Sequence, residues 1–362
     1  MRWSPNASLI GFRLLSPLSS SFFQGSKEIR GAMYNLFIPI AVMARSYYAD
    51  ATVLEGITDD EFVSMMFVDG CSLVQFMITM LGAEREAFLL QNKIQPHRLG
   101  IIRDIMLLEN QISWIVVEFF MALKQPFPMQ QLISFLTFRY HVSVSEQFFA
   151  VRINENHVPL HLLSLVRFYL VGINDRGMGA PVSNLQLTTS AAELAEMGIK
   201  LKATKTTQYS DVDIVKSCFF AKLSLPPLPL DSLNACALVN MAAYEICRGG
   251  PYDVNSYLCI LGMLMNKEED VRELRTKRIV GGLFGDNQTL EFFKDQAPKL
   301  MTGPTYVRII FDLSAYRHKR RVWIAIYRFF YKNAKTIAMV LPIIGVLVGI
   351  FEALYSVKQK QH

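Results

Sequence analysis

Apolar residues recur at helical spacing over most of the chain. Thr58 and Glu61 form a T-x-x-E capping box, and apolar residues then follow through residue 76 in a stripe broad enough for a buried helix. Residues 101–123 are also strongly apolar, but four charged side chains cut their uncharged runs below membrane length, which favours a central core helix. Helical patterns also cover residues 31–48, 128–150, 159–171, 232–248, 253–265, 267–278 and 287–297.

Extended structure is predicted at one place only. Residues 213–225 place Val215 and further apolar residues before a proline cluster at residues 226–229, which is typical of a short strand or hairpin. Residues 172–189 contain several Gly, Asn and Asp residues and form the best candidate loop. The predicted fold class is therefore mainly α: a multi-helix globular body with at most a small β element, plus one C-terminal transmembrane helix.

The predicted transmembrane helix is residues 336–357, which contain one acidic residue, Glu352, and no basic residue. About 20 residues at ~1.5 Å each span a hydrocarbon core of roughly 30 Å. Pro342 does not argue against this, because proline is tolerated in membrane helices. Gly345 and Gly349 form a G-x-x-x-G pair, which indicates a homodimer seam, although the motif also arises by chance in apolar segments.

Basic and aromatic residues precede this segment at residues 316–335, and residues 358–362 form a short tail after it. No acid occurs between Arg317 and Lys335. Aromatic and basic side chains together mark a membrane interface and suit anionic lipid headgroups better than a nucleic-acid duplex. The residues predicted to lie at the interface are Arg317, Lys319, Arg320, Arg321, Trp323, Lys332 and Lys335.

The distribution of basic residues also predicts the orientation of the chain. Seven of them lie on the N-terminal side of the segment, against Lys358 and Lys360 on the other. The positive-inside rule then places the body, residues 31–315, in the cytosol. We expect the membrane to be the plasma membrane or an endomembrane, and we expect the two N-glycosylation sequons, at Asn6 and Asn287, to be unused.

The N-terminus and the cysteines add two constraints. The first 27 residues contain no acid and are rich in serine, a composition shared with organellar transit peptides. We predict that residues 1–30 are a disordered or atypical extension, with a transit peptide as the alternative. The five cysteines are odd in number and contain no C-x-x-C pair, so buried thiols in a reducing compartment are expected.

Familiar catalytic signatures do not occur in the sequence: it has no P-loop, G-x-G-x-x-G, H-E-x-x-H or G-x-S-x-G pattern. His157 and His161 have the spacing of two metal ligands on one helix face, but Pro159 lies between them, which favours an ordinary helix start. The acidic residues 268–270 lie at the start of a predicted helix, where the helix dipole stabilises negative charge. We therefore expect no enzymatic activity, no metal and no cofactor.

One block of the sequence is distinctive. Residues 107–112 read LLENQI and are followed by Glu118, and an earlier block ends in Asp69, Gly70 and Cys71. With residues 44–48, 62–68, 161–163, 192–194, 198–202 and 243–245, these blocks resemble the plant domain-of-unknown-function 247 family in order and spacing, over residues 30–357. The residues that we assign to the family-motif core are Asp69, Gly70, Cys71, Leu108, Glu109, Asn110 and Gln111.

The residues of the LLENQ block fit a core role. We expect Leu107, Leu108 and Ile112 to face inward, while Glu109, Asn110 and Gln111 tie neighbouring loops through hydrogen bonds, since buried polar groups need partners. A recognition site is the alternative. For Asp69 to Cys71 core packing is likewise favoured over a nucleophile beside an acid, because no histidine is local.

The resemblance implies a plant protein with a single-pass membrane anchor and no established catalytic activity. Some grass members of the family are implicated as pollen-side determinants of self-incompatibility that act with small secreted partners. Residues 1–30 depart from the family's usual opening stretch. Our leading hypothesis is a membrane-anchored interaction or signalling protein that binds membrane lipid and a protein partner, such as a small secreted protein, and no nucleic acid. An enzyme with an unrecognised site in the helical body is the alternative.

Overall fold

The computed structural model describes residues 22, 27–48, 56–82, 94–124, 126–138, 154, 157–172, 189–206, 208–217 and 220–359. These residues are mainly helical, as the sequence predicts. Most of the predicted N-terminal extension, the candidate loop at 173–188, Cys218 and residues 360–362 of the tail lie outside the described residues.

The first half of the chain packs around one long helix. The α-helices that the structure describes in this half are α1 (Lys27–Arg45), α2 (Asp59–Leu81), α3 (Arg98–Ile105), α4 (Trp114–Ala122), α5 (Met129–Phe138) and α6 (Leu162–Val171). α2 begins as predicted, because the Thr58 backbone N–H donates to Glu61 Oε2 (2.9 Å) and the Glu61 N–H donates to Thr58 Oγ1 (3.3 Å). It ends at Gly82 with φ +64° and packs against α1, α4 and α5.

The prediction of one core helix over residues 101–123 is wrong. α3 ends at Ile105, a 3₁₀ turn follows at Leu108–Asn110, and α4 begins at Trp114. The reason lies in the polar side chains between the two helices, which bond to the free carbonyls at the end of α3 instead of facing solvent. Side chains that compete for backbone groups in this way favour a break over a continuous helix.

The second half of the chain adds seven helices among the described residues: α7 (Ala191–Glu196), α8 (Ser232–Arg248), α9 (Asp253–Leu264), α10 (Glu268–Thr276), α11 (Asp286–Gln296), α12 (Pro304–Lys319) and α13 (Arg321–Gln359). α8 connects the halves, because it packs against α3 and α6 on one side and α9 on the other. The Asp231 carboxylate caps α8 by accepting hydrogen bonds from the N–H groups of Leu233 and Asn234.

Two small sheets complete the body within the described residues. Their strands are β1 (Ile199–Ala203), β2 (Asp213–Lys216), β3 (Ala221–Leu225), β4 (Leu228–Pro229) and β5 (Val280–Gly281). β2 and β3 form the antiparallel pair that the extended pattern predicts, and β1, which the sequence did not reveal, adds parallel to β3 in the order β1-β3-β2. β4 and β5 form a separate parallel pair.

The predicted C-terminal span does not form a separate helix. Residues 336–352 are the second part of α13 and are bent by 80° from its first part, Arg321–Ala334. Among the described residues, α2 alone is long and apolar enough to cross a membrane by itself, and 83% of its apolar stretch is buried in the body, as in a core helix. The two parts of α13 meet the same criteria only when they are taken together.

Candidate functional site

The LLENQ block forms a turn that closes the end of α3. Gln111 Nε2 donates to the carbonyl oxygens of Ile105 (2.9 Å) and Leu107 (2.7 Å), and Asn110 Nδ2 donates to Asp104 O (3.2 Å). The last carbonyls of a helix have no partner within it, so these amides supply the missing donors. Glu109 is exposed. The side chains of Asn110 and Gln111 therefore act as a C-terminal cap.

The same block also bonds to two other helices, α6 and α8. Gln111 Oε1 accepts from the N–H of Leu163 in the first turn of α6 (2.9 Å), and the N–H of Leu108 donates to Asn240 Oδ1 of α8 (2.8 Å). At the start of α4, the Trp114 N–H donates to Leu160 O (2.8 Å). Asn110 and Gln111 therefore make hydrogen bonds to neighbouring segments, as expected, whereas Glu109 is exposed.

Asp69, Gly70 and Cys71 lie in the buried middle of α2. A Cβ atom on Gly70 would lie 2.5 Å from the ring of Phe120 and 2.8 Å from Val116 Cγ1, so only glycine lets α4 approach this closely. Cys71 is fully buried, and burial raises the pKa of its thiol above the ordinary value, which disfavours the nucleophilic thiolate.

Asp69 is the unusual residue of this segment. Its carboxyl group is buried in α2, and burial raises its pKa to about 7. Tyr48 lies between the two family blocks: its hydroxyl donates to Gln111 O (3.4 Å) and contacts Met66 Sδ (3.7 Å). Burial raises the pKa of Tyr48 to about 12. The charge of Asp69 acts in the same direction, and the hydrogen bond with the Ser113 backbone acts against it. The two blocks thus form one packed unit.

A buried ion-pair network at the centre of the body was not predicted. Arg167 of α6 contacts Glu245 of α8 through Nη2 (2.6 Å to Oε1) and lies 3.4 Å from Asp253 Oδ2. Glu245 also accepts from the N–H of Val254 (3.0 Å) and the N–H of Asn255 (3.1 Å), and so caps the start of α9. Burial raises the pKa of Glu245, while Arg167 and these donors act in the opposite direction.

The network reaches the segment before α12, because the Met301 N–H donates to Asn255 Oδ1 (3.0 Å). Glu245 closes one of the blocks that carry the family resemblance, and this was the sequence signal available. Its partner Arg167 lies 78 residues earlier in the chain, so no spacing rule could have paired them. Arg167, Glu245 and Asp253 thus connect α6, α8 and α9.

The two histidines have separate contacts. His161 Nδ1 accepts from the Ser164 N–H at the start of α6 (3.2 Å), and burial lowers the pKa of His161 to about 4. His157 stacks on Phe168 with ring centroids 3.6 Å apart. Within the part of the chain that the structure describes, no group of three or more His, Cys, Asp or Glu side chains could hold a metal ion.

The predicted interface residues divide into two groups. Lys332 and Arg328 both pair with Glu196 at 3.2 Å. Arg320 donates a hydrogen bond to Ser217 O (2.9 Å). These three basic side chains therefore contact the body. The assignment of the basic cluster to a membrane interface remains a prediction. The side chains of Arg317, Lys319 and Arg321 are exposed, and Trp323 is half-buried. The side chain of Lys335 lies outside the described residues.

Residues 336–352 of α13 differ from every helix of the body that the structure describes. Apolar side chains are exposed around the whole circumference of this segment, the most exposed being Phe351, Met339 and Val346. No atom lies within 4 Å of a Cβ placed on Gly345 or Gly349. A helix that is apolar on all sides requires a partner other than water.

The chain belongs to the DUF247 family of plant proteins of unknown function, which it matches over residues 19–348. This confirms the resemblance drawn from the LLENQ block, and the match begins within the predicted N-terminal extension. A relative from Arabidopsis thaliana, the UPF0481 protein At3g47200, is 26% identical over 269 residues, which cover 66% of this chain and 54% of the relative. The chain thus spans about half the length of that curated relative. No solved structure matches the chain.

Proposed function

We propose that this protein is a membrane-tethered interaction protein, in which residues 336–357 cross a bilayer and the helical body binds another protein. The observation that supports the tether most directly is the exposure of the apolar side chains between residues 336 and 352. In water this surface would be costly, at about 25 cal/mol per Å² of apolar area, whereas a hydrocarbon core removes that cost.

The glycine pair in this segment supports a second part of the proposal. Gly345 and Gly349 lie four residues apart on one face of α13, and the space beside both is open. Small residues at this spacing let two membrane helices approach closely. We propose that two copies of the chain associate along this face in the membrane.

The proposed orientation follows from the basic residues before the span. Arg317, Lys319 and Arg321 are exposed, and exposed basic residues beside a span favour the cytosolic side of a plasma membrane or endomembrane. The body would then act in intracellular signalling. If the body faces the other side, reception of a small secreted protein, as in cell recognition, becomes the favoured function.

A stripe on α1 is our candidate for the partner surface. Ile29, Leu36 and Met43 are spaced seven residues apart and therefore lie on one face of the helix, and all three are exposed. The opposite face packs Phe37, Ala41 and Ala44 into the core. Exposed apolar surface of this kind supports binding of a protein in preference to catalysis or nucleic-acid binding.

Alkaline carbonate extraction of cell membranes tests the tether. We expect the full chain to stay in the membrane pellet and a variant lacking residues 336–362 to be released. The same deletion with the apolar segment of an unrelated single-pass protein added back serves as the matched control and should return the body to the pellet. Release of the full chain by carbonate would refute the proposal.

Glycosylation at Asn287 tests the orientation in the same membranes. Asn287 is exposed at the start of α11, so a glycan there would not disturb packing. We expect no glycan and a body that added protease digests. A glycan on the full chain that is absent from Asn287→Gln, together with protection from protease, would place the body on the lumenal side and contradict the cytosolic orientation.

A further inference from the structure

The outer face of the three-stranded sheet carries lysines on adjacent strands. Lys200 and Lys202 of β1 are exposed and alternate with the buried Ile199 and Leu201. Lys222 of β3 is half-buried and lies directly beside Lys200 in the parallel register. Side chains at alternate positions of a strand point to the same face, so the three ammonium groups form one positively charged surface.

Nearby carboxylates do not neutralise these lysines. Asp213 of β2 pairs with Arg308 (3.0 Å), Asp312 of α12 pairs with Lys216 (2.5 Å), and Glu196 pairs with two basic residues of α13. Among the described residues, no carboxylate forms an ion pair with Lys200, Lys202 or Lys222, and the Lys200 ammonium lies 4.8 Å from the ring centroid of Phe220. The sheet face therefore keeps an excess of positive charge.

The first part of α13 lies beside one end of this sheet. The ring of Tyr327 is 3.5 Å from the Cβ position of Gly198, just before β1, and its centroid is 5.7 Å from that of Phe220, just before β3. Ile324 is buried on the same side of the helix. Arg321–Ala334 is thus held at the end of the sheet from which the two parallel strands begin.

The opposite side of this helix segment is apolar and open. Val322, Ile326 and Phe329, at helical spacings i, i+4 and i+7, are 75%, 45% and 61% exposed. One helix thus binds the body with one face and presents an apolar face outward. Its axis is inclined by 80° to residues 336–352, so when those residues follow the bilayer normal, Arg321–Ala334 lies nearly in the membrane plane, as interfacial amphipathic helices do.

We propose that the outward face of Arg321–Ala334 and the lysines at 200, 202 and 222 form one surface that binds the anionic headgroups of the membrane and holds the body in a defined orientation. This inference rests on the proposed tether. Charge complementarity and continuity with the exposed apolar side chains favour lipid as the occupant, because a nucleic acid would satisfy the lysines but not Val322 and Phe329. Lys200 is connected to the helix through the ring of Phe220, which contacts both its ammonium group and Tyr327.

Lysine reactivity in nanodiscs tests the surface with the full chain. The chain is placed in discs of phosphatidylcholine alone or with about 30% phosphatidylserine, labelled briefly with an amine reagent and digested for mass spectrometry. We expect labelling of Lys200, Lys202 and Lys222 to fall about fivefold in the anionic discs, in line with ~1 kcal/mol per lysine near such a surface. Lys267, just before α10, and Lys299, in the 3₁₀ turn after α11, are both exposed; they are the internal controls and should not change.

The outcomes separate this inference from the tether. If the chain does not enter discs of either composition, the proposed span is wrong. If it enters but Lys200, Lys202 and Lys222 label equally in both lipid compositions, the tether stands and anionic headgroup binding is refuted. Recovery of their labelling when salt is raised to about 0.5 M would support binding through charge, since screening at that ionic strength is stronger.

Discussion

Two apolar helices of similar composition have opposite environments in this protein. α2 contains Asp69 and Gly70 within an apolar stretch, yet 83% of that stretch is buried by the surrounding helices. Residues 336–352 of α13 also carry one acid and two glycines, and their apolar side chains are exposed on all sides. Length and hydropathy therefore identify helices that need a nonpolar environment, while the neighbouring helices decide whether protein or lipid provides it.

The largest effect is expected for Glu245→Ala, which removes the carboxylate at the centre of the body. Arg167 would remain buried without its main partner, and breaking a buried pair costs about 3–5 kcal/mol. Urea unfolding of the purified chain in mild detergent, followed by circular dichroism, measures this loss. Glu273→Ala, which breaks an exposed pair with Lys277, is the control and should cost less than ~1 kcal/mol. Equal losses would contradict a stabilising role specific to the buried network.

A charge in the exposed helix should affect the membrane and not the body. Val346→Arg places a guanidinium in the middle of the proposed span, at a cost of roughly 2.5–3.5 kcal/mol for insertion. The fraction extracted by carbonate should rise, while the urea midpoint of the body stays that of the wild type. Val346→Leu is the matched control. A lower urea midpoint would mean that residues 336–352 pack against the body.

Glycine substitutions compare the same two helices directly. Gly70→Ala puts a methyl group 2.5 Å from Phe120, and such overpacking typically costs about 1–3 kcal/mol. Gly349→Ala introduces a methyl group into open space and should leave the unfolding midpoint unchanged. If both variants unfold like the wild type, the close contact between α2 and α4 does not exist in solution.

The pH dependence of stability should reveal Asp69. Burial raises its folded pKa to about 7, so between its unfolded pKa near 4 and pH 7 the folded state holds more protons than the unfolded state. Stability from this group is present below the unfolded pKa and falls as pH rises, by about 2 kcal/mol between pH 5 and pH 7. Asp69→Asn should remove most of this fall, whereas Asp60→Asn, on the exposed start of α2, should retain it.

The smallest effect is expected where α13 contacts the body. Glu196→Gln weakens the exposed pairs with Arg328 and Lys332, and such pairs contribute roughly 0–1 kcal/mol each. The unfolding midpoint should barely change, but hydrogen exchange of residues 321–334 should become faster. Glu291→Gln, which weakens the exposed pair with Lys294 on α11, serves as the control. Unchanged exchange would show that Tyr327 and Ile324 hold the segment without these charges.

Local patterns predicted the elements whose causes are themselves local. The capping box at Thr58 begins α2, and the apolar periodicity of α8 and α9 places these helices within a residue of their ends. The LLENQ block was also identified before the fold, but the break it makes between α3 and α4 was not. Its apolar periodicity continues through the turn, and only the amide contacts of Asn110 and Gln111 show why the helix ends.

By itself the sequence determined the mainly helical class, the family and the apolar segment at the C-terminus, because composition and short-range spacing carry that information. Tertiary structure decided which charged residues are paired, such as Arg167 with Glu245 and Lys332 with Glu196. It also decided that α2 is enclosed while residues 336–352 stand open. Burial and ion pairing depend on residues far apart in the chain, and the free energy of a buried group is set by those neighbours rather than by its own identity.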